Sequence, residues 1–419
     1  MSADTAANTA RPEVVLGVGG GIAAYKAGEI LRRLADHGAQ VTVVPTAAAL
    51  HFVGEATWSA LAGRPARTEV WDDVHLVPHV QLGRQADLVV VAPATADLLA
   101  RAAHGRADDL LTSTLLTAHC PTVFAPAMHT EMWLHAATQA NVATLRERGA
   151  HVLDPDDGRL TGDESGAGRL PDPGRIATYG ADLLDVSQRG VGDDLRGRHV
   201  VISAGGTRED LDPVRFLGNR SSGRQGFALA RVAAARGARV TLVAANTELP
   251  TPIGTDVVQV SSTEELREQM VGRAEQADAV IMAAAVADFR PRARGAEKIK
   301  KTESAPVPEL ELEQTPDVLA ELVSRRGADE RPTVIAGFAA ETGANPEDTL
   351  RLGREKLERK GCDLLVVNDV GGGKVFAAET NAATILDVDG GRTDVPFGPK
   401  TDLAHALLDQ VRHRIRTAS

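Results

Sequence analysis

The chain runs through one pattern twice, and that repetition constrains its fold more than any other feature. Val14 to Val18 is a short β-branched run, and Gly19-Gly20-Gly21 follows it. Ile22 to His37 then places Ile22, Ala23, Ala27, Ile30, Leu31 and Leu34 at helical spacing before Gly38 and a second apolar run, Val41 to Val44. This is the signature of a β-α-β unit. The plan returns as Val200 to Ser203, Ala204-Gly205-Gly206-Thr207, a helix over Gly226 to Arg236, Gly237, and Val240 to Ala244. His37 to Val43 mirrors Arg236 to Leu242, and Ala86 to Asp97 mirrors Ala277 to Asp288. Runs that are apolar at every position suit parallel strands buried on both faces. The expected class is α/β, with two doubly wound, Rossmann-like domains whose ligands bind at the carboxyl ends of the strands.

A length of 419 residues fits two domains of about 200 residues each. The expected boundary lies in Gln188 to Arg198, giving domains over residues 13–190 and 191–419 after a small, polar tail over residues 1–12 that reads as disordered. A Gly-, Asp- and Pro-rich stretch, Asp154 to Pro173, reads either as a functional flap or as disorder. No apolar run approaches the ~20 residues of a membrane helix, and the N-terminus lacks a secretory pattern. The two cysteines, Cys120 and Cys362, lie far apart, which points to a reducing, cytoplasmic setting and away from a Cys-rich metal site. A net charge of −11 and 3% aromatics argue against nucleic-acid binding, and no membrane partner is expected.

The glycine turns resemble a dinucleotide fingerprint, but Ile22 occupies the third glycine position of the first. Neither second strand ends on the acid that would hold a ribose: one runs into Pro45-Thr46, the other into Ala245-Asn246. A mononucleotide phosphate still fits, because backbone N–H groups at a helix start bind it without further apparatus.

Three motifs then occur in order: Gly17 to Lys26, Ala92-Pro93-Ala94-Thr95-Ala96-Asp97, and Pro126-Ala127-Met128-His129-Thr130-Glu131-Met132-Trp133. Together they resemble the homo-oligomeric flavin-containing cysteine decarboxylases. With the second half, the chain from about Pro12 resembles the bifunctional family of coenzyme A biosynthesis, phosphopantothenate–cysteine ligase fused to phosphopantothenoylcysteine decarboxylase. The resemblance implies a flavodoxin-like flavoprotein domain followed by a nucleotide-binding ligase domain. It implies that Gly19, Gly20, Gly21, Ile22, Ala23, Thr46, Ala94, Thr95 and Ala96 hold FMN, and that Met128, His129 and Met132 recognise the substrate. It places the catalytic histidine at His79, with His75 the neighbouring alternative. A histidine suits proton transfer near neutral pH. Two positions depart from the family pattern: His129 stands where asparagine is usual, and Thr161 where many relatives carry a flap cysteine, which leaves the proton donor unassigned.

The second half offers what carboxylate activation by a nucleotide needs: phosphate-binding glycines, cations and donors. Ala204-Gly205-Gly206-Thr207 is a strand-end turn, and Asn219-Arg220-Ser221-Ser222-Gly223 is rich in donors ahead of a helix. Lys298, Lys300 and Lys301 cluster within an acidic protein; alone they would read as a solvated loop. Pro316 to Leu319, Gly337 to Thr342 and Val367-Asn368-Asp369 follow in the order of the CTP-using ligases. The resemblance implies catalytic roles for Asn219 and Lys298. It implies CTP contacts from Gly205, Gly206, Asp288, Lys298, Pro316, Asp317, Val318, Leu319, Phe338, Lys356 and Lys360, and Asp288 at Mg²⁺. Lys356 and Lys360 could instead pair with Glu355 and Glu358, and Arg215 is a candidate for the substrate phosphate. The partners implied are 4'-phosphopantothenate, L-cysteine and CTP, in a homo-oligomer of decarboxylase trimers and ligase dimers. Two rival readings remain at this level: an NAD(P)-dependent oxidoreductase and a catalytically retired flavoprotein that only binds.

Overall fold

In a computed structural model, residues 11–69, 77–160, 164–299, 310–326, 331–341, 345–369 and 380–417 are described. His75, Thr161, Lys300, Lys301 and Thr342 lie outside them. The chain divides into two compact units, one through Val191 and one from Gly192.

The first unit is a five-stranded parallel sheet of β1 (Glu13–Val18), β2 (Gln40–Pro45), β3 (Leu88–Ala94), β4 (Thr122–Pro126) and β5 (His151–Val152). Its order is β2-β1-β3-β4-β5, the flavodoxin-like order, whose ligand crevice opens where β1 meets β3. β3 is buried at every position, which its unbroken apolar sequence requires. The expected helix from Ile22 begins as a 3-10 turn, Ile22–Lys26, and becomes α-helical only over Ala27–Asp36. Ile30, Leu31 and Leu34 of that helix carry its buried stripe. The Gly-rich stretch after β5 forms a hairpin, β6 (Asp156–Arg159) with β7 (Ser165–Arg169), and the helix Pro173–Gln188 closes the unit.

The second unit opens with β8 (His199–Gly205), then an antiparallel pair, β9 (Arg208–Asp210) and β10 (Phe216–Gly218). β11 (Arg239–Ala245), β12 (Thr255–Val260) and β13 (Ala279–Met282) continue the main sheet. A second ribbon joins β14 (Phe289–Pro291) to β15 (Leu312–Gln314). β16 (Val334–Glu341), β17 (Leu364–Asp369), β18 (Thr380–Asp387) and β19 (Arg392–Pro399) complete the sheet. The order is β12-β11-β8-β13-β16-β17-β18-β19. Six strands are parallel in the doubly wound 3-2-1-4-5-6 arrangement, and β18 and β19 add an antiparallel edge. Both faces are covered. Val200 and Ile202 of β8 pack with Leu229, Leu242 and Leu407 in one layer. Val201 packs with Val243, Leu266 and Met270 in the other. The mirrored stretches Ala86–Asp97 and Ala277–Asp288 thus occupy equivalent places: β3 and β13 each lie beside the first strand of their sheet, across the switch point.

One buried ion cluster ties the start of the second unit to its last helix. Arg236 is fully buried, and its Nε and Nη2 donate to Asp194 at 2.8 and 2.7 Å. Nη2 also lies 2.8 Å from Asp409, and Nη1 donates to the His405 carbonyl at 3.4 Å. Removing Arg236 would take from the buried Asp194 its two closest donors and leave it Arg412 at 3.2 Å. Arg236→Ala is expected to lower the stability of the full chain by about 3–5 kcal/mol in urea titration. A loss under about 1 kcal/mol, the range of an exposed ion pair, would show that water reaches the site.

Candidate functional site

The first unit holds a cavity of about 860 Å³ at the carboxyl ends of its strands. Three helix starts meet it. Gly21 precedes the 3-10 turn Ile22–Lys26. Thr46 caps the helix Ala47–Leu50, its Oγ1 accepting from Ala49 N at 3.2 Å. Thr95 caps Ala96–Ala103, its Oγ1 accepting from Leu98 N at 3.3 Å. First-turn N–H groups have no partner within their own helix, so this wall of the cavity presents donors. Gly20 is small for a reason: a Cβ there would sit 2.3 Å from the Ala48 Cβ.

Gly20, Gly21, Ile22, Ala23, Thr46, Thr95 and Ala96 line the cavity, as do Met128, His129 and Met132. Gly19 and Ala94 do not. Gly19 N donates to Pro93 O at 3.0 Å, and a Cβ at Gly19 would lie 2.3 Å from that oxygen, so it shapes the wall from behind. Ala94 faces the core. The hairpin β6–β7 lies over the Met128–Thr130 turn. Met128 N donates to Gly168 O at 3.0 Å, and a Cβ at Gly166 would be 2.5 Å from Thr130 Oγ1. His129 Nδ1 is 3.1 Å from Glu164 Oε2, at the foot of β7.

His79 is not brought into this cavity. It sits half-buried on the helix Pro78–Gln85, with Thr117 Oγ1 donating to its carbonyl at 2.7 Å. Its Nδ1 has no partner among the described residues. Cys120 is partly buried against the core, and burial pushes its thiol up to about 11, so it stays protonated at neutral pH. Lys26, Arg101 and Arg169 line the cavity without having been given a role from the sequence. Burial draws the Lys26 ammonium below its ordinary value, and Arg169 adds to this. Lys26 ends the 3-10 turn that follows the glycines, within the first of the three sequence motifs. Arg101 is held by Asp97, Asp108 and Asp109 at 3.0, 2.8 and 2.8 Å.

The second unit holds a cavity of about 460 Å³ in the equivalent place. Asn219, Asp288, Pro316, Asp317, Val318, Leu319, Phe338, Lys356 and Lys360 line it together. Asn219 Nδ2 donates to Val286 O at 2.8 Å, which draws its loop to the end of β13. Asp317 caps the helix Val318–Ser324, its Oδ1 accepting from Ala320 N at 3.1 Å. Lys360 pairs with Asp317, rather than with Glu355 or Glu358, which joins two lining segments. Burial works to raise the Asp317 carboxyl, but the hydrogen bonds from Lys360 and Ala320 N outweigh it and hold the group below its usual range.

Gly205, Gly206 and Lys298 are absent from that lining. Gly205 has a left-handed φ of +86°, and a Cβ there would lie 1.9 Å from Ala245 O. A Cβ at Gly206 would lie 2.9 Å from Asn219 O, so this glycine makes room for the Asn219 loop. Lys298 is exposed, and the described segment beside it is anchored elsewhere, Ile299 N donating to Asp212 Oδ2 at 3.1 Å. Arg215 is committed to the same carboxylate, its Nε donating to Asp212 Oδ2 at 2.9 Å, and this pairing drives the Asp212 carboxyl far below the ordinary range. Arg224, Asn381 and Lys400 line the cavity and were not singled out from the sequence. Lys400 stands 112 residues beyond Asp288 and reaches the site directly after the edge strands β18 and β19.

Residues 2–184 match the family described as flavoprotein, and residues 195–415 match the DNA/pantothenate metabolism flavoprotein C-terminal domain. The chain is 56% identical over 402 residues to the coenzyme A biosynthesis bifunctional protein CoaBC of Mycobacterium tuberculosis (strain ATCC 25618 / H37Rv), covering 95% of this chain and 96% of the relative. It is 38% identical over 403 residues to the protein of the same name from Vibrio parahaemolyticus serotype O3:K6 (strain RIMD 2210633), covering 96% and 98%. A crystal structure of the C-terminal domain of a CoaBC protein is 33% identical, covers 54% of this chain and 100% of that chain, and has a TM-score of 0.45. Matched along nearly its whole length, the chain belongs to the family of bifunctional coenzyme A biosynthesis proteins.

Proposed function

We propose that the second unit joins L-cysteine to 4'-phosphopantothenate at the expense of CTP, and that the first unit decarboxylates the product to 4'-phosphopantetheine with bound FMN. The observation that carries this reading is convergence. Lining residues drawn from Asn219 to Lys360, far apart in sequence, meet in one cavity at the switch point of the second sheet.

In ligation, a carboxylate oxygen of phosphopantothenate attacks the α-phosphorus of CTP and pyrophosphate leaves. The cysteine amine then attacks the acyl carbon, forms the amide and releases CMP. Asn219 steadies the acyl-cytidylate by donating from its amide, while the Pro316 to Leu319 turn, Phe338, Lys356 and Lys360 contact the nucleotide. Asp288 is an exposed carboxylate on the cavity wall. That suits Mg²⁺, which keeps several waters and is held by one or two carboxylates plus substrate phosphates. Lys298, though absent from the cavity lining, is the residue proposed to bind or activate the triphosphate.

The first cavity fits FMN on two counts: it is large enough, and three helix starts supply phosphate donors. Gly20 to Ala23, Thr46, Thr95 and Ala96 would hold it, with Gly19 and Ala94 shaping the wall. When bound, FMN supplies reversible two-electron oxidation of the substrate's cysteine end, so that carbon dioxide can leave with no net redox change. Met128, His129 and Met132 orient the substrate beneath the hairpin.

His79 moves the thiol proton from a neighbouring subunit. Its distance from its own cavity supports that arrangement, as do the exposed Ile22 and Tyr25, 66% and 64% accessible, on the cavity-lining 3-10 turn. Trimers of the first unit and dimers of the second are the assembly proposed. The setting proposed is cytoplasmic; no helix among the described residues is long and apolar enough to cross a membrane.

Incubating the full chain with phosphopantothenate, cysteine, CTP and Mg²⁺ is expected to yield phosphopantetheine, CMP and pyrophosphate by mass spectrometry. Accumulation of phosphopantothenoylcysteine would retain the ligase and remove the decarboxylase. His79→Asn is expected to keep the flavin spectrum and ligation while decarboxylation falls by about 100-fold or more. Mixing it with a variant damaged only in the flavin cavity is expected to restore part of the activity, and failure of that rescue would place His79 in its own subunit's site. Lys298→Gln is expected to depress ligation while decarboxylation of supplied phosphopantothenoylcysteine continues. Unchanged ligation would make the lysine segment a solvated loop.

A further inference from the structure

Lys400 opens the helix Lys400–Thr417 and is only 8% exposed, yet it lines the cavity of the second unit. Its Nζ donates to Thr380 O at 3.3 Å. Among the described residues, no carboxylate lies within ion-pair distance of it. An ammonium has three donors and a full charge, and one carbonyl satisfies neither need when the group is out of water. Burial pulls the Lys400 ammonium below its ordinary value, and nearby Arg224 pushes the same way.

The surroundings are built for an anion. Arg224 begins the helix Arg224–Ala235 after Gly223, which is left-handed at φ +75° and provides no side-chain cap. The first N–H groups of this helix are thus left for another acceptor. Gln225 Nε2 donates to Lys400 O at 3.1 Å, which locks the two helix starts together. Asn381 also lines the cavity and is 4% exposed, and its Oδ1 lacks a partner among the described residues. Its Nδ2 meets Asn368 Oδ1 at 2.9 Å, so turning the two amides over presents an N–H instead. The contrast with Lys360 is direct: that cation is neutralised by Asp317, whereas Lys400, in the same cavity, has no carboxylate at ion-pair distance among the described residues.

We propose that Lys400, with Arg224 and the start of its helix, binds a phosphoryl group of one of the ligation substrates. This rests on reading the second unit as a nucleotide-dependent ligase. The group is either the β,γ end of the triphosphate, which departs as pyrophosphate, or the phosphate of phosphopantothenate. Lys400 is a binding residue for that group and delivers no proton.

The test titrates the full chain calorimetrically with inorganic pyrophosphate and inorganic phosphate, comparing wild type with Lys400→Met and Lys400→Arg. Lys400→Met is expected to weaken binding by about 10- to 100-fold, and Lys400→Arg to recover most of the loss. In ligation, KM should rise for one substrate alone. A rise for CTP identifies the triphosphate, and a rise for phosphopantothenate identifies its phosphate. Without ligand, Lys400→Met is expected to melt at or above the wild-type temperature, because an unpaired buried charge has been removed. Lower melting with unchanged anion affinity would reduce Lys400 to a tether for Thr380 and overturn the proposal. So would wild-type protein that binds neither anion. Anion binding through Lys400 in a protein that ligates with no nucleotide would keep the site and discard the ligase reading.

Discussion

Both halves of the chain depend on one close contact, the glycine turn after the first strand tied to the end of the strand across the switch point. In the first unit Gly19 N donates to Pro93 O at 3.0 Å. In the second, Ala285 N donates to Gly205 O at 2.8 Å, and Thr207 N donates to Ala285 O at 3.2 Å. A side chain at Gly19 or Gly205 would collide with backbone, as the distances of 2.3 and 1.9 Å to Pro93 O and Ala245 O show. The tie aims the following helix start at the crevice between the strand ends. It satisfies backbone groups that would otherwise be buried unpaired, and it creates a donor-rich wall before any catalytic side chain is added.

The two crevices then diverge through what surrounds them. In the first, three short helix starts and a glycine-rich hairpin enclose about 860 Å³. In the second, the extra strands β18 and β19 return the chain so that Lys400 joins Asn219 and Asp288 in lining about 460 Å³. A protein of net charge −11 thereby gathers lysines and arginines where anionic substrates belong. That local concentration is what a phosphorylated ligand meets.

Much of this was legible in the order of residues. The apolar runs announced parallel strands, whereas Thr46 and Thr95 were named for FMN by resemblance alone, and their capping of two helix starts emerged only in the fold. Asp317 and Lys360 were each visible as candidates, but not their pairing, because 43 residues separate them and nearer acids were available to Lys360. Gly205 and Gly206 read as ligand-cradling glycines from their motif; their crowded backbone contacts show them making room for other segments. Arg224, Asn381 and Lys400 carry no local motif, and an isolated lysine at a helix start is indistinguishable from a solvated one.

The sequence by itself determined the doubly wound class, the repetition of its plan and the strand ends at which the cavities open, because apolar periodicity and glycine punctuation act over a few residues. Only the tertiary structure decided which cations lose their solvent, which are neutralised, and that His79 lies outside the lining of its own unit's cavity. Burial and charge compensation arise between segments far apart in the chain, and a group's chemistry follows from the neighbours it is left with.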